Sequence, residues 1–172
     1  MASGDLLFKL KAKQNIGPAT NFATPDVIAA ATGKRLVLDF VGSGGSVDES
    51  AIFEDQWPSH YGGGGVDIVI DYSTDGTSVA EVEFELSLEV IQDQDDQDAG
   101  GQDFGTVTNR TDTPSTATTN VLDRTAVAAI THANCGSPAV GDGMRLKIAR
   151  DHDHGAGNAD FAQLATVYVT ET

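Results

Sequence analysis

Residues 79–91 read VAEVEFELSLEVI, and they restrict the fold more than any other stretch of the chain. Ala80, Val82, Phe84, Leu86, Leu88 and Val90 alternate with Glu81, Glu83, Glu85, Ser87 and Glu89. A period of two over this length specifies a long strand with one apolar and one polar face. Such a strand belongs in a sheet that buries one side only, which means an antiparallel sandwich or barrel.

Other segments repeat the pattern. Residues 6–13 alternate Leu6, Phe8, Leu10 and Ala12 with Leu7 and lysines, and residues 34–41 (KRLVLDFV) form a second strand. Residues 51–57 are extended up to Pro58. Residues 66–72 place Val66, Ile68, Ile70 and Tyr72 on one face. Residues 144–150 and 161–172 close the pattern, with Met144, Leu146 and Ile148 opposite Arg145 and Lys147. The segment VIAAAT (27–32) fits a short helical turn or an irregular strand, 111–119 favours extended chain, and 120–133 fits a helix or a strand, with strand the better fit to its all-β surroundings. Glycine, 19 residues in all, clusters between these runs: GSGGS at 42–46 and four in a row at 62–65. Asp75-Gly76 in STDGTS is a hairpin signal, so 66–72 and 79–91 are expected to pair. Their register must offset the carboxylates or match them with cations. The sum is one all-β domain spanning 1–172, an antiparallel, jelly-roll-like β-sandwich of about eight strands. No repeat indicates a solenoid or propeller.

The charge excludes some functions. Ten basic against 26 acidic residues leave −16, which disfavours nucleic acid and anionic membrane surfaces. The lone Cys135 allows no intrachain disulfide. No run reaches membrane-spanning length, and MASGDLLFKLKAK lacks the apolar core expected of a signal peptide. Without such a signal, the Asn109-Arg110-Thr111 sequon reads as accidental.

Candidate sites are few. Trp57, His60 and Tyr61 could form an aromatic platform for sugars or a subunit interface, or could be core residues. Glu81, Glu83, Glu85 and Glu89 form either plain solvent surface or a docking face. In DHDHGAGNAD (151–160), Asp151, Asp153 and Asp160 could bind calcium, His152 and His154 could hold a transition metal, or the segment is a solvated hairpin tip. Asp93, Asp95, Asp96, Asp98 and Asp103 form an acidic loop, either solvated or weakly calcium-binding. No G-x-S-x-G elbow surrounds Ser59, and GSGGS lacks a P-loop lysine. No enzyme activity and no resident cofactor other than that calcium are expected.

MASGDLL, RLVLDF, ESAIFEDQWPSHYGGGG and RLKIARD together resemble a group of small β-sandwich virion proteins of tailed bacteriophages and viral metagenomes. The matching segments spread over most of the chain. The resemblance implies a noncatalytic capsid decoration (cement) or head–tail accessory subunit. It further implies a homotrimer attached to the major capsid or another virion protein, located in the virion and assembled in the host cytoplasm. It supplies no catalytic residues. The alternative of another class is a carbohydrate- or receptor-binding β-sandwich module.

Overall fold

The computed structural model describes residues 4–30, 33–41, 47–93, 95, 104–155 and 157–172. The alternating segments become eleven antiparallel strands among these residues: β1 (Leu6–Lys11), β2 (Thr24–Ala30), β3 (Gly33–Phe40), β4 (Ser50–Gln56), β5 (Val66–Thr74), β6 (Val82–Ile91), β7 (Thr108–Asp112), β8 (Asp123–Arg124), β9 (Ala128–Ile130), β10 (Gly143–Arg150) and β11 (Ala162–Glu171). One sheet runs β2-β3-β11-β5-β8, with β1 beside β11 and β9 beside β5; the other runs β4-β10-β6-β7. The jelly-roll-like sandwich expected from the alternation is therefore what forms. The count exceeds eight because 24–30 resolves as strand and 120–133 splits into two short ones. The turn expected at 42–46 lies outside the described residues.

Apolar positions of both sheets meet in the middle. Phe84 lies edge-on to Phe40 at 6.2 Å and to Tyr72 at 5.6 Å, and Leu38, Ile70, Leu86, Leu146 and Leu164 are fully buried. In β1 the simple alternation fails. The register shifts between Leu6 and Phe8, so Leu7 and Phe8 are both buried while Leu6 is exposed.

The expected hairpin between 66–72 and 79–91 does not form. β5 pairs along its whole length with β11, and β6 with β10 and β7 in the opposite sheet. Asp75-Gly76 thus starts a crossing between sheets. The turn dipeptide specifies a local reversal, but each strand finds a ladder as long as itself elsewhere. A Cβ on Gly76 would sit 2.1 Å from the Asp160 carboxylate, which accepts the Ser78 N–H at 2.7 Å. Residues 151–160 are likewise a crossing rather than a hairpin tip, because β10 and β11 lie in different sheets.

The strand order also leaves an arm. β3 pairs with β11 only from Leu38 to Phe40, whereas Thr166 onward pairs with β1. β2 follows β3 throughout, so Gly33–Leu36 and the facing half of β2 extend past the sandwich. Val27 and Leu36 are about two-fifths exposed there, at 42% and 41%.

One carboxyl opposes this fold. Asp39 is half-buried, and its Oδ1 has no hydrogen-bond partner. Burial, then the charge of Asp26, pushes its pKa up to about 6, against a hydrogen bond from Gln163. The folded chain holds this proton where the unfolded chain has lost it. The protonated-state advantage is complete below about pH 4 and lost as pH rises through 6. Asp39→Asn should therefore raise stability by about 1 kcal/mol at pH 7.5, after discounting for solvent screening. Urea midpoints should show that gain at pH 7.5 and none near pH 3.5. An equal effect at both would refute the titration.

Candidate functional site

The outward face of the four-stranded sheet gathers most of the polar chemistry. With Val82, Phe84, Leu86 and Leu88 turned to the core, Glu83, Glu85, Ser87 and Glu89 point the other way. The register then sets three rows across β6, β10 and β4: Glu89–Arg145–Glu54, Ser87–Lys147–Ile52 and Glu85–Ala149–Ser50. Ser87, Ile52, Ala149 and Ser50 are all buried although they face outward. These four are covered, so the accessible part of the face is Lys147 at its centre and the polar side chains at its two ends.

At one end the Arg145 guanidinium pairs with Glu54 and Glu89, each at 3.0 Å, and lies 5.7 Å from the centre of the Phe104 ring. Lys147 stands in the middle. At the other end, Glu85 receives no hydrogen bond from any described residue. Burial, then the charges of Asp48, Asp151 and Glu83, push its pKa up. Beyond it, Glu83 is clamped by the Asn109 amide at 2.5 Å and by His154 Nδ1. The other ring nitrogen of His154 meets Glu81 at 3.1 Å. Carboxylates on both nitrogens require an imidazolium, and the hydrogen bond with Glu81 leads the upward shift of its pKa. His152 is held separately by Asp48, at 2.6 Å from Nδ1, which raises its pKa as well.

The four glutamates are accordingly not one docking ladder. Glu81 lies just before the strand, Glu83 and Glu89 are matched within the sheet, and Glu85 alone of the four has no donor among the described residues. The reason is the register, which puts Arg145 and Asn109 opposite the carboxylates and swings the 151–160 crossing over the end of the strand.

The aromatic platform also needs correction. Trp57 and Tyr61 are 1% and 5% exposed, leaving no ring face for a sugar. Trp57 packs edge-on against Phe8 at 5.4 Å and against Tyr61 at 4.5 Å. The Tyr61 hydroxyl donates to the Gly64 carbonyl and meets His132 Nδ1 at 3.0 Å; burial pushes its pKa up to about 12. Only His60 is exposed, with Nε2 3.2 Å from the Leu6 carbonyl. The glycine run after Tyr61 wraps the buried Glu171 carboxylate, which accepts the Gly62 and Gly64 N–H groups. Gly65 is obligatory there, since a Cβ would lie 2.5 Å from the Ile130 carbonyl oxygen.

Asp151, Asp153 and Asp160 do not converge. Asp151 caps the Asp153 N–H at 3.1 Å, while Asp160 faces Ser78 across the crossing. The ligand atoms that come together are those of Glu83, Asp151 and His154, all within 4.8 Å of one another. With protons on both nitrogens, His154 bridges Glu83 and Glu81 while Asp151 lies nearby, and a cation would have to displace one of those protons. His152 and His154 have different partners and do not form a shared pair. Of the acidic loop, Asp95 accepts the Gln92 N–H at 2.6 Å; Asp96, Asp98 and Asp103 lie outside the described residues.

Arg145 and Lys147 were legible as one face of RLKIARD, but their facing glutamates were not. Glu171 and Asn109 carried no signal at all, since each acts through a segment distant in sequence.

No protein-family model matches the chain, and no curated protein matches it. Solved structures do. A carbohydrate-binding module studied for specific mannan recognition superposes with a TM-score of 0.51 at 10% identity, over 99% of both chains. The xylan-binding domain CBM22-1 of Paenibacillus barcinonensis Xyn10C gives 0.51 at 13% identity, over 99% of this chain and 97% of that one. At such identities the likeness is one of fold: an antiparallel jelly-roll sandwich of the type these modules have.

Proposed function

We propose that this chain is a noncatalytic carbohydrate-binding module that uses the outward face of its four-stranded sheet. One observation carries the reading: whole single modules, one described for mannan and one for xylan, match the chain from end to end. The face itself supports it. The accessible Lys147, Glu85 and Asn109 offer donors and acceptors for hydroxyl groups, and the Arg145–Phe104 stack closes one end. Calorimetric titration with manno- and xylo-oligosaccharides should show binding that Lys147→Ala weakens about tenfold, the equivalent of one lost charged hydrogen bond. No heat with either sugar, or equal affinity in the variant, would refute it.

The virion setting is a second reading, favoured by the four sequence segments. On a tailed-phage particle the module would be a trimeric decoration or accessory subunit seated on the major capsid or another virion protein. Mass spectrometry of purified particles that lacks this chain would end that reading and leave the first intact.

A further inference from the structure

The arm formed by β2 and β3 leaves β11 where β1 takes over, and a cleft of about 300 Å³ opens in the fork. Lys11 and Lys13 border it on one side and Lys34 and Arg35 on the other, with Leu36 and Ala165 between them. These four are among only ten basic residues in a chain of net charge −16. Of the other six cations, Arg124 pairs with Asp71, Arg145 with Glu54 and Glu89, and Arg150 is held by backbone carbonyls. None of the four in the cleft lies within ion-pair distance of a carboxylate among the described residues, although acidic residues outnumber basic ones 26 to 10. Four like charges brought together without counter-charges repel one another, and an anion in the cleft removes that cost. At physiological salt, screening over about 8 Å lets this local cluster outweigh the distant negative surface.

We infer that the fork is a second binding site, for an anionic polysaccharide whose carboxylate or sulfate groups meet Lys11, Lys13, Lys34 and Arg35. The inference rests on the carbohydrate-binding reading and extends it to acidic sugars. No aromatic side chain lines the cleft, so it lacks the stacking platform that single-stranded nucleic acid uses. A second copy of the chain is a poorer occupant, because the carboxylates of β6 are largely matched within their own subunit.

Polygalacturonate, dextran sulfate, neutral mannan and poly-glutamate should be titrated into the intact chain and into Lys34→Ala/Arg35→Ala, whose sites are exposed and outside the core. Binding of either acidic polysaccharide, weakened about tenfold in the double variant and by added salt, is expected. Which of the two binds identifies carboxylate or sulfate as the ligand group. Lys147→Ala should leave this binding unchanged. No binding of either polymer, equal binding by the double variant, or equal affinity for poly-glutamate would overturn the inference. If mannan still binds in that event, the carbohydrate-binding reading survives; if nothing binds, both fall.

Discussion

Arg150→Ala is expected to lower stability by about 3–5 kcal/mol, enough to unfold a large share of molecules at physiological temperature. Arg150 is 1% exposed at the end of β10. Its guanidinium donates to the carbonyls of Phe40 at 3.3 Å, of Asp160 at 2.5 Å and of Asn158. These acceptors sit at the end of β3 and on the 151–160 crossing, so one side chain ties two sheets and their connection together. Burial lowers its pKa to about 10, which still leaves it charged at neutral pH. Deletion leaves a cavity and three carbonyls without this donor in a dry site. Arg150→Lys keeps the charge but not the planar fork, and should recover less than half of the loss. Urea unfolding of the two variants is the measurement. A loss below about 1 kcal/mol for alanine would show that the crossing holds itself.

This pin clarifies what the recognised segments mean. RLKIARD carries Arg150 as its last residue but one, and HYGGGG wraps the Glu171 carboxylate. Both build scaffold, with Arg150 and Glu171 buried and each holding a connection in place. The strands were readable because one-sided burial writes a period of two into the sequence. Their partners were not. Asp75-Gly76 encodes a reversal whichever sheet the chain enters next, and the choice of β11 over β6 depends on residues almost a hundred positions away. The face of β6 shows the same limit. Alternation exposes the row of glutamates, but Arg145, Asn109 and His154 reach it from three other segments, and their arrival turns a uniform ladder into matched pairs with Glu85 left over. The cationic fork was hidden for a related reason: KLKAK and KR read as ordinary polar strand faces until the sheet order sets them across one cleft.

Trp57 gives the second large effect and separates core from platform. Trp57→Ala should cost about 3–5 kcal/mol, as for other fully buried aromatics. The ring is enclosed by Phe8 and Tyr61, and Tyr61 in turn ties to Gly64 and His132, so its loss opens the base of the glycine run as well. Trp57→Phe is the informative companion. The indole Nε1 is buried without a hydrogen-bond partner, so phenylalanine removes an unsatisfied donor while giving up some ring contact. The two changes oppose each other, and a net loss near 1 kcal/mol or less follows. A stacking residue would behave differently: its replacement would weaken sugar affinity while leaving stability nearly unchanged. Under the proposed carbohydrate-binding reading, folded Trp57→Phe protein should match the parent chain in mannan and xylan titrations, with any deficit confined to the unfolding midpoint. Weakened affinity at an unchanged midpoint would put Trp57 back on the binding surface and move the proposed sugar site away from the four-stranded sheet.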